Sequence, residues 1–404
     1  MLTIIIKETV LKYFYTQYIR KTIIMNLLYL SEDYSYSKVH HLLCKHIVAS
    51  KKGVNVILYT VLRRRSGRGC SRLAYTDIRS TYTDINYQVL FHKLDKHIRR
   101  YKYDFFFKIE QKTIWLIDNV DMRCVDMVYA STLFLEGAVA YKLYKKYTIP
   151  YIVAVRATDT NFYLKYMAHL WPLAWSILKS AHKIVFITEA IACHFINKRI
   201  ILPVRKHVQQ KMVVIPNGIE HYWLEHAKSK RSGISPRRLV FIGPFNDNKN
   251  ILATMRVVKS LSSHYKGLHL IMVGGGGDQQ EKVLEYCNHY PELFTFLGKI
   301  LDKNRLCEVF AESDIFVMAS HSETFGLVYI EALSQGIPIL YTRGQGIDGM
   351  LKEKVGEAVD SHDESSIKEA ICRLIDKYEQ YESIGKSLCR FSWNRVAYDV
   401  INLF

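Results

Sequence analysis

Two glutamates, Glu323 and Glu331, stand eight residues apart in the stretch SETFGLVYIEALSQG, residues 322–336. The first precedes what reads as a helix start, and the second falls inside that helix. Paired carboxylate acceptors suit a ligand that presents rows of hydroxyl donors, and a vicinal diol such as ribose can give two hydrogen bonds to one carboxylate. Ser322, Glu323 and Thr324 read as a polar loop, and Phe325, Gly326 and Leu327 as the opening of the helix. A helix N-terminus exposes free N–H groups and a partial positive charge, which suits a diphosphate. Gly326 would let the backbone approach such a group closely. The plain alternative makes Glu323 a capping residue and Glu331 part of a solvated helix face.

The elements that must position this pair follow an α/β rhythm. From Met25, short apolar runs alternate with amphipathic ones: NLLYL (26–30), VNVILYT (54–60), VDMVYA (125–130), PYIVAVR (150–156) and HKIVFIT (182–188) read as strands, with helices between them. The pattern restarts with RRLVFIG (237–243), LHLIMVGGGG (268–277), LFTFLG (293–298), DIFVMAS (314–320) and IPILYT (337–342). Strands alternating with helices of 10–15 residues predict parallel sheets covered on both faces. Residues 61–124 are less regular, and RRRSGRGCSR (63–72) is a basic, glycine-bearing loop. The expected division is an extension over 1–24, a Rossmann-like domain over 25–223, a polar linker over 224–236, a second Rossmann-like domain over 237–390 and a terminal helix over 391–404. Ligands of such sheets bind outside the carboxyl ends of the strands.

Composition narrows the function classes. The 404 residues carry a formal net charge of +18, which suits an anionic substrate, an anionic membrane surface or nucleic acid. No nucleic-acid-binding module is recognisable in the sequence. The eight cysteines are scattered without a CxxC, which favours reduced thiols over a disulfide or zinc framework. No run of apolar residues is long enough to span a bilayer. The first 24 residues are apolar but broken by Lys7, Glu8, Lys12, Arg20 and Lys21, unlike a signal peptide. They read either as a tail preceding a natural start near Met25 or as an interfacial anchor.

Several stretches, in order, resemble glycosyltransferase family 4: VVIPNGIE (213–220), FIGPFNDNKN (241–250), HLIMVGGGGD (269–278), FTFLGKI (294–300), SDIFVMASHSETFGLVYIEALSQGIPIL (313–340) and FSWNRVAYDV (391–400). The N-terminal half is similar more loosely. The resemblance implies a GT-B fold, two Rossmann-like domains facing across a cleft with a C-terminal helix crossing back and burying Trp393 and Tyr398. It implies Glu331 as ribose ligand, Glu323 as the carboxylate on the donor hexose and Lys249 on the diphosphate. The backbone from Phe325 to Leu327, beside Thr324, would form the phosphate cradle. Gly243 would let its loop hug the phosphate, and Leu297 to Lys299 would form the slot for the base.

Two departures matter. The family usually has an arginine directly after the glycine matching Gly243, and here Pro244 follows. Where many members carry a histidine loop on the acceptor side, this chain reads RATD, placing Arg156 and Asp159 there. Asp159 reads equally as a helix N-cap. The four glycines at 274–277 read as a tight turn or a ligand loop, and GQGIDG (344–349) as a plain loop or one near the donor.

The resemblance thus implies a metal-independent, retaining hexosyltransferase that uses a nucleotide diphosphate sugar of the UDP or GDP type. Its acceptor would be a glycan or lipid-linked sugar of surface polysaccharide assembly, such as capsule, exopolysaccharide or lipopolysaccharide. The expected setting is cytoplasmic, peripheral to the inner leaflet of a bacterial plasma membrane, with no nucleic-acid partner. The competing readings are a nucleotide-sugar epimerase of the same build and an inactive nucleotide-sugar-binding homologue.

Overall fold

The computed structural model describes residues 25–34, 37–50, 53–62, 84–93 and 104–404. The N-terminal extension 1–24 and the basic loop 63–72 lie outside the described residues. The chain divides into two compact units, each built on its own sheet.

The first unit comprises residues up to Val185, then Pro203–Val213 and Ala397–Phe404. Its elements run β1 (Met25–Leu30), α1 (Lys38–Ala49), β2 (Val54–Leu62), β3 (Gln88–Lys93), α2 (Phe105–Asn119), β4 (Met127–Ala130), α3 (Leu135–Tyr147), β5 (Tyr151–Val155), α4 (Trp171–Ser180) and β6 (Lys183–Phe186). After helix α5 (Glu189–Ile196), which groups with the second unit, come α6 (Arg205–Lys211) and β7 (Met212–Val214). The strand order is β3-β2-β1-β4-β5-β6-β7. Strands β1, β4 and β5 are apolar at nearly every position and buried on both faces, as parallel strands between helix layers must be.

The second unit comprises Phe186–Leu202 and Val214–Val396. It runs β8 (Arg238–Gly243), α7 (Ile251–Leu261), β9 (His269–Gly274), α8 (Gln280–His289), β10 (Phe294–Phe296), α9 (Lys303–Ala311), β11 (Ile315–Val317), α10 (Leu327–Ser334), β12 (Ile339–Thr342), β13 (Gly356–Val359) and α11 (Glu364–Asp376). Its order, β10-β9-β8-β11-β12-β13, repeats the first sheet's logic. Its core of leucine, isoleucine, valine and phenylalanine lies between the sheet and its helices.

Three stretches depart from their sequence reading. Residues 61–124 hold a strand and a helix, β3 and α2. Strand β3 is an edge strand with mixed exposure, so its apolar signal is weak. Strand β13, with the sequence GEAV, is short, lies at the other sheet's edge and carries an equally weak apolar signal. The polar stretch before β8 is fastened to the second unit: Lys228 N–H donates to the Ser334 carbonyl at 2.7 Å, and Arg231 reaches Asp314 at 2.6 Å.

The last helix, α12 (Trp393–Ile401), buries Trp393 as expected, whereas Tyr398 is 45% exposed. Its apolar stripe is Val396, Ala397, Val400 and Ile401, and the helical period turns Tyr398 away from it.

Candidate active site

In a doubly wound sheet the strand order reverses at one point, and the loops leaving the two strands there diverge to form a crevice. In the second unit those strands are β8 and β11. A cavity of about 370 Å³ lies at the loops that follow them. From β8 it takes Ile242, Gly243, Pro244 and Lys249, and from β11 Met318 and the run Glu323–Val328; Asn217 completes the lining. The expected residues Gly243, Lys249, Glu323, Thr324, Phe325, Gly326 and Leu327 are thus brought to one cavity.

Lys249 and Glu323, 74 positions apart, form an ion pair at 2.5 Å between Nζ and Oε2. Both side chains are largely buried, at 18% and 11% exposure, so the pair is shielded from solvent screening. Lys249 sits in a 3-10 turn capped by Asn246, whose Oδ1 accepts from the Lys249 N–H at 3.0 Å. Among the described residues lining the cavity, Lys249 is the one cation. Pro244 lines it as well, where an arginine would have added a second.

Two further side chains, neither expected from sequence, fix the loop that carries Glu323. Asn248 binds the outer side: its Nδ2 donates to the Ser322 carbonyl at 2.9 Å, and its Oδ1 accepts from the Ser322 N–H at 2.9 Å. Gln345 binds the other side, its Oε1 accepting from the Glu323 N–H at 2.6 Å and its Nε2 donating to the His321 carbonyl at 2.9 Å. GQGIDG is therefore a buttress of the site. A Cβ on its Gly346 would lie 3.1 Å from Glu323 Cγ.

Gln345→Ala removes both bonds without opening the core. Turnover is expected to fall about tenfold at nearly constant thermal stability, because a loosened carboxylate loses its reacting geometry. Steady-state kinetics beside a melting curve test this, and equal loss of both would reduce Gln345 to a structural role.

Helix α10 begins two residues later than expected, at Leu327, with Gly326 as its N-cap at φ 72°. A side chain at Gly326 would collide with Tyr329, whose ring lies 2.4 Å from the Cβ position. Tyr329 cannot yield, because it is buried and its hydroxyl donates to the Met318 carbonyl at 2.8 Å. Phe325 lies ahead of the helix and turns its ring into the core, leaving its backbone at the cavity. In the glycine run, a Cβ at Gly274 would lie 2.0 Å from the Gly243 carbonyl oxygen. That run is thus a close backbone contact beneath the β8 loop.

Glu331 lies within α10, outside the cavity lining. Burial, then the neighbouring Glu220 carboxylate, push its carboxyl up to about 7, opposed by Lys303. Lys303 itself is ion-paired to Glu220. Leu297 and Lys299 also lie outside that lining. They follow β10, where Leu297 N–H donates to the Met272 carbonyl at 2.9 Å and the Gly298 carbonyl accepts from Gly274 N–H at 2.9 Å.

Arg156 and Asp159 belong to the first unit. Asp159 is wholly buried, and its carboxylate accepts from the N–H groups of Leu133 (3.0 Å), Phe134 (3.2 Å) and Arg156 (2.8 Å). Burial pushes its carboxyl up to about 7 against those three donors. Asp159, expected on the acceptor side, is thus fully buried in this structure. Its carboxylate ties the turn that precedes α3, at Leu133 and Phe134, to the turn after β5 at Arg156. Arg156 is partly exposed, with Nε donating to the Ser131 carbonyl at 3.2 Å.

Comparison with known proteins agrees with this architecture. Residues 225–388 match the model of the family described as glycosyl transferases group 1. A probable sucrose-phosphate synthase of Thermosipho melanesiensis is 26% identical over 217 residues, covering 50% of this chain and 49% of its own. The sulfoquinovosyl transferase SQD2 of Arabidopsis thaliana is 24% identical over 276 residues, covering 65% of this chain and 52% of its own. The chain thus spans about half the length of these two relatives. Among solved structures, the lipopolysaccharide outer core galactosyltransferase WaaB in its apo form superposes with a TM-score of 0.68 at 14% identity, over 94% of this chain and 99% of that one. At that identity the likeness bears on fold alone. Residues 225–388 are accordingly similar to the glycosyl transferases group 1 family, in a chain with the two-sheet GT-B type of fold.

Proposed function

We propose that the chain is a retaining glycosyltransferase of family 4 type. It would move a hexose from a nucleotide diphosphate sugar, of the UDP or GDP type, to a glycan or lipid-linked sugar acceptor in surface polysaccharide biosynthesis. The observation that carries this reading is the shielded Lys249–Glu323 pair in the cavity between the β8 and β11 loops. WaaB, described as a lipopolysaccharide outer core galactosyltransferase, fits the proposed acceptor class. The proposed setting is cytoplasmic, at the inner leaflet of a bacterial plasma membrane.

Each residue then has a chemical role. Glycosyl transfer builds negative charge on the departing diphosphate and positive charge on the sugar. Lys249 stabilises the first, aided by the backbone of Phe325–Leu327 at the start of α10. An ammonium has three donors, so Lys249 can hold a phosphate oxygen while still holding Glu323. Glu323 accepts from the hexose hydroxyls, Glu331 from the ribose diol, and the Leu297–Lys299 backbone meets the base. Gly243 keeps its loop low over the diphosphate. The acceptor oxygen bonds to the anomeric carbon on the face the diphosphate leaves. As the carbon–oxygen bond to the phosphate breaks, the acceptor's proton passes to the departing phosphate oxygen. Lys249 and the helix start supply the positive charge in this scheme, so a metal is not required.

Pro244 favours one second reading, a homologue that binds nucleotide sugars without turning them over. The deciding experiment is a thermal-shift screen with UDP, GDP, ADP and their common sugars on wild type and Glu331→Ala, followed by assay of sugar release. A ligand selective for the folded state raises its melting temperature by mass action. The expected result is a shift with one nucleotide family, lost in Glu331→Ala, together with release of the sugar. A shift without release selects the inactive homologue, and no shift at millimolar nucleotide sinks the donor site.

A further inference from the structure

Three of the large apolar side chains most exposed in the described residues come together in the first unit: Phe106 (56%), Phe162 (46%) and Tyr166 (65%). They are linked through rings beneath them. Phe105 lies 5.5 Å from Phe106 and 6.1 Å from Tyr163, while Phe162 lies 5.3 Å from Tyr163 and 6.1 Å from Tyr166. Tyr163 is in turn stacked on the buried Phe134 at 4.9 Å, so the cluster stands on the core. The start of α2 and the turn after β5 therefore present one aromatic surface. Residues 159–163 form a single π-helical turn, which sets Phe162 outward.

The charge in the turn itself is positive. From residue 160 to 170, the stretch that bears Phe162 and Tyr166, the chain has no Asp or Glu but has Lys165. Exposed Lys165 lies over the Tyr166 ring at 5.0 Å. The nearest carboxylates on α2 are engaged: Asp104 caps the helix by accepting from Phe107 N–H at 3.0 Å, and Glu110 is paired with Lys142. Asp159 is buried.

We propose that this surface docks the first unit on an anionic lipid bilayer. Exposed aromatic rings beside Lys165, with Asp104 and Glu110 engaged among the described residues, match the headgroup region, where rings enter the acyl boundary and ammonium groups stay with lipid phosphates. A contiguous exposed apolar cluster is unusual on a protein that meets only water. The turn that bears Phe162 and Tyr166 follows Arg156 directly, so docking would bring a lipid-linked acceptor to the loops at the end of β5. The inference deepens the transferase reading and rests on its choice of a lipid-linked acceptor.

The test is co-sedimentation of the full chain with phosphatidylglycerol–phosphatidylethanolamine vesicles and with phosphatidylcholine vesicles. Wild type is compared with the triple variant Phe106→Ser, Phe162→Ser, Tyr166→Ser and with Lys165→Glu. Wild type is expected to bind the anionic vesicles selectively, the triple variant about tenfold or more weakly, and Lys165→Glu several-fold more weakly. Should the triple variant not fold, Lys165→Glu alone decides. Wild type that ignores anionic vesicles, or variants that bind as well as wild type, overturn the proposal. So does single-stranded DNA binding that depends on the aromatics when vesicle binding does not. Nucleotide-induced thermal shifts on the same samples separate the two readings. A retained shift with no vesicle binding removes this surface alone, and vesicle binding without a shift removes the donor site alone.

Discussion

Lys249→Ala is expected to lower the rate of transfer by roughly 10²–10³-fold, the usual consequence of deleting one preorganised group that stabilises a leaving anion. The expectation is sharper here because, among the described residues lining the cavity, no second cation can take over, and Pro244 stands where one would be. The fall should appear mainly in kcat, since the charge on the diphosphate grows as the bond breaks. Lys249→Arg should recover only part of the rate, because a planar guanidinium cannot reproduce a compact ammonium held at 2.5 Å from Glu323. Single-turnover assay with saturating donor measures this directly. If Lys249→Ala raises KM and spares kcat, the lysine only helps the donor to bind.

Glu331→Gln is expected to make the protein more stable and the donor site worse. The Glu331 carboxyl is raised to about 7 by burial and by Glu220, so its charged form is disfavoured in the folded state. A carboxyl raised on folding leaves stability intact below its unfolded pKa and withdraws it as pH rises from there to the folded value. The wild-type protein therefore loses stability between about pH 4.5 and about pH 7 on this account. The neutral amide removes that loss, by up to about 3 kcal/mol above pH 7 and by nothing near pH 4.

Donor affinity should move the other way. Two hydrogen bonds to a carboxylate lost from a ribose diol cost roughly 10- to 100-fold in affinity. Wild-type affinity should also strengthen as pH rises toward 7, since the ionised carboxylate is the better acceptor, and this dependence should vanish in the variant. Melting curves and nucleotide titrations from pH 5 to pH 8 examine both halves. A variant that melts lower than wild type at pH 8, or binds nucleotide equally well, defeats the assignment of Glu331.

Much of the site was legible because its parts are local in sequence. The polar loop, the glycine and the helix that follow β11 occupy one short stretch, and backbone chemistry alone sets their order. The strand–helix alternation likewise predicts two parallel sheets, since strands buried on both faces must be apolar throughout. Strands β3 and β13 escaped because edge strands face water on one side and lose that signal.

What the tertiary structure alone decided concerns the surroundings of each charge. Lys249 meets Glu323 across 74 residues, and Gln345 reaches the Glu323 backbone from another loop, 22 residues away. Asp159, in sequence a plausible group for an acceptor, is enclosed by the nearby Arg156 N–H and by two backbone donors, Leu133 and Phe134, that only folding brings near. The sequence marks Glu331 as a ribose ligand, but burial, Glu220 and Lys303 set its proton affinity. Residue type names the chemistry a side chain can perform. Its charge state and its partners depend on desolvation and on distances between segments remote in the chain, and only the folded packing sets those.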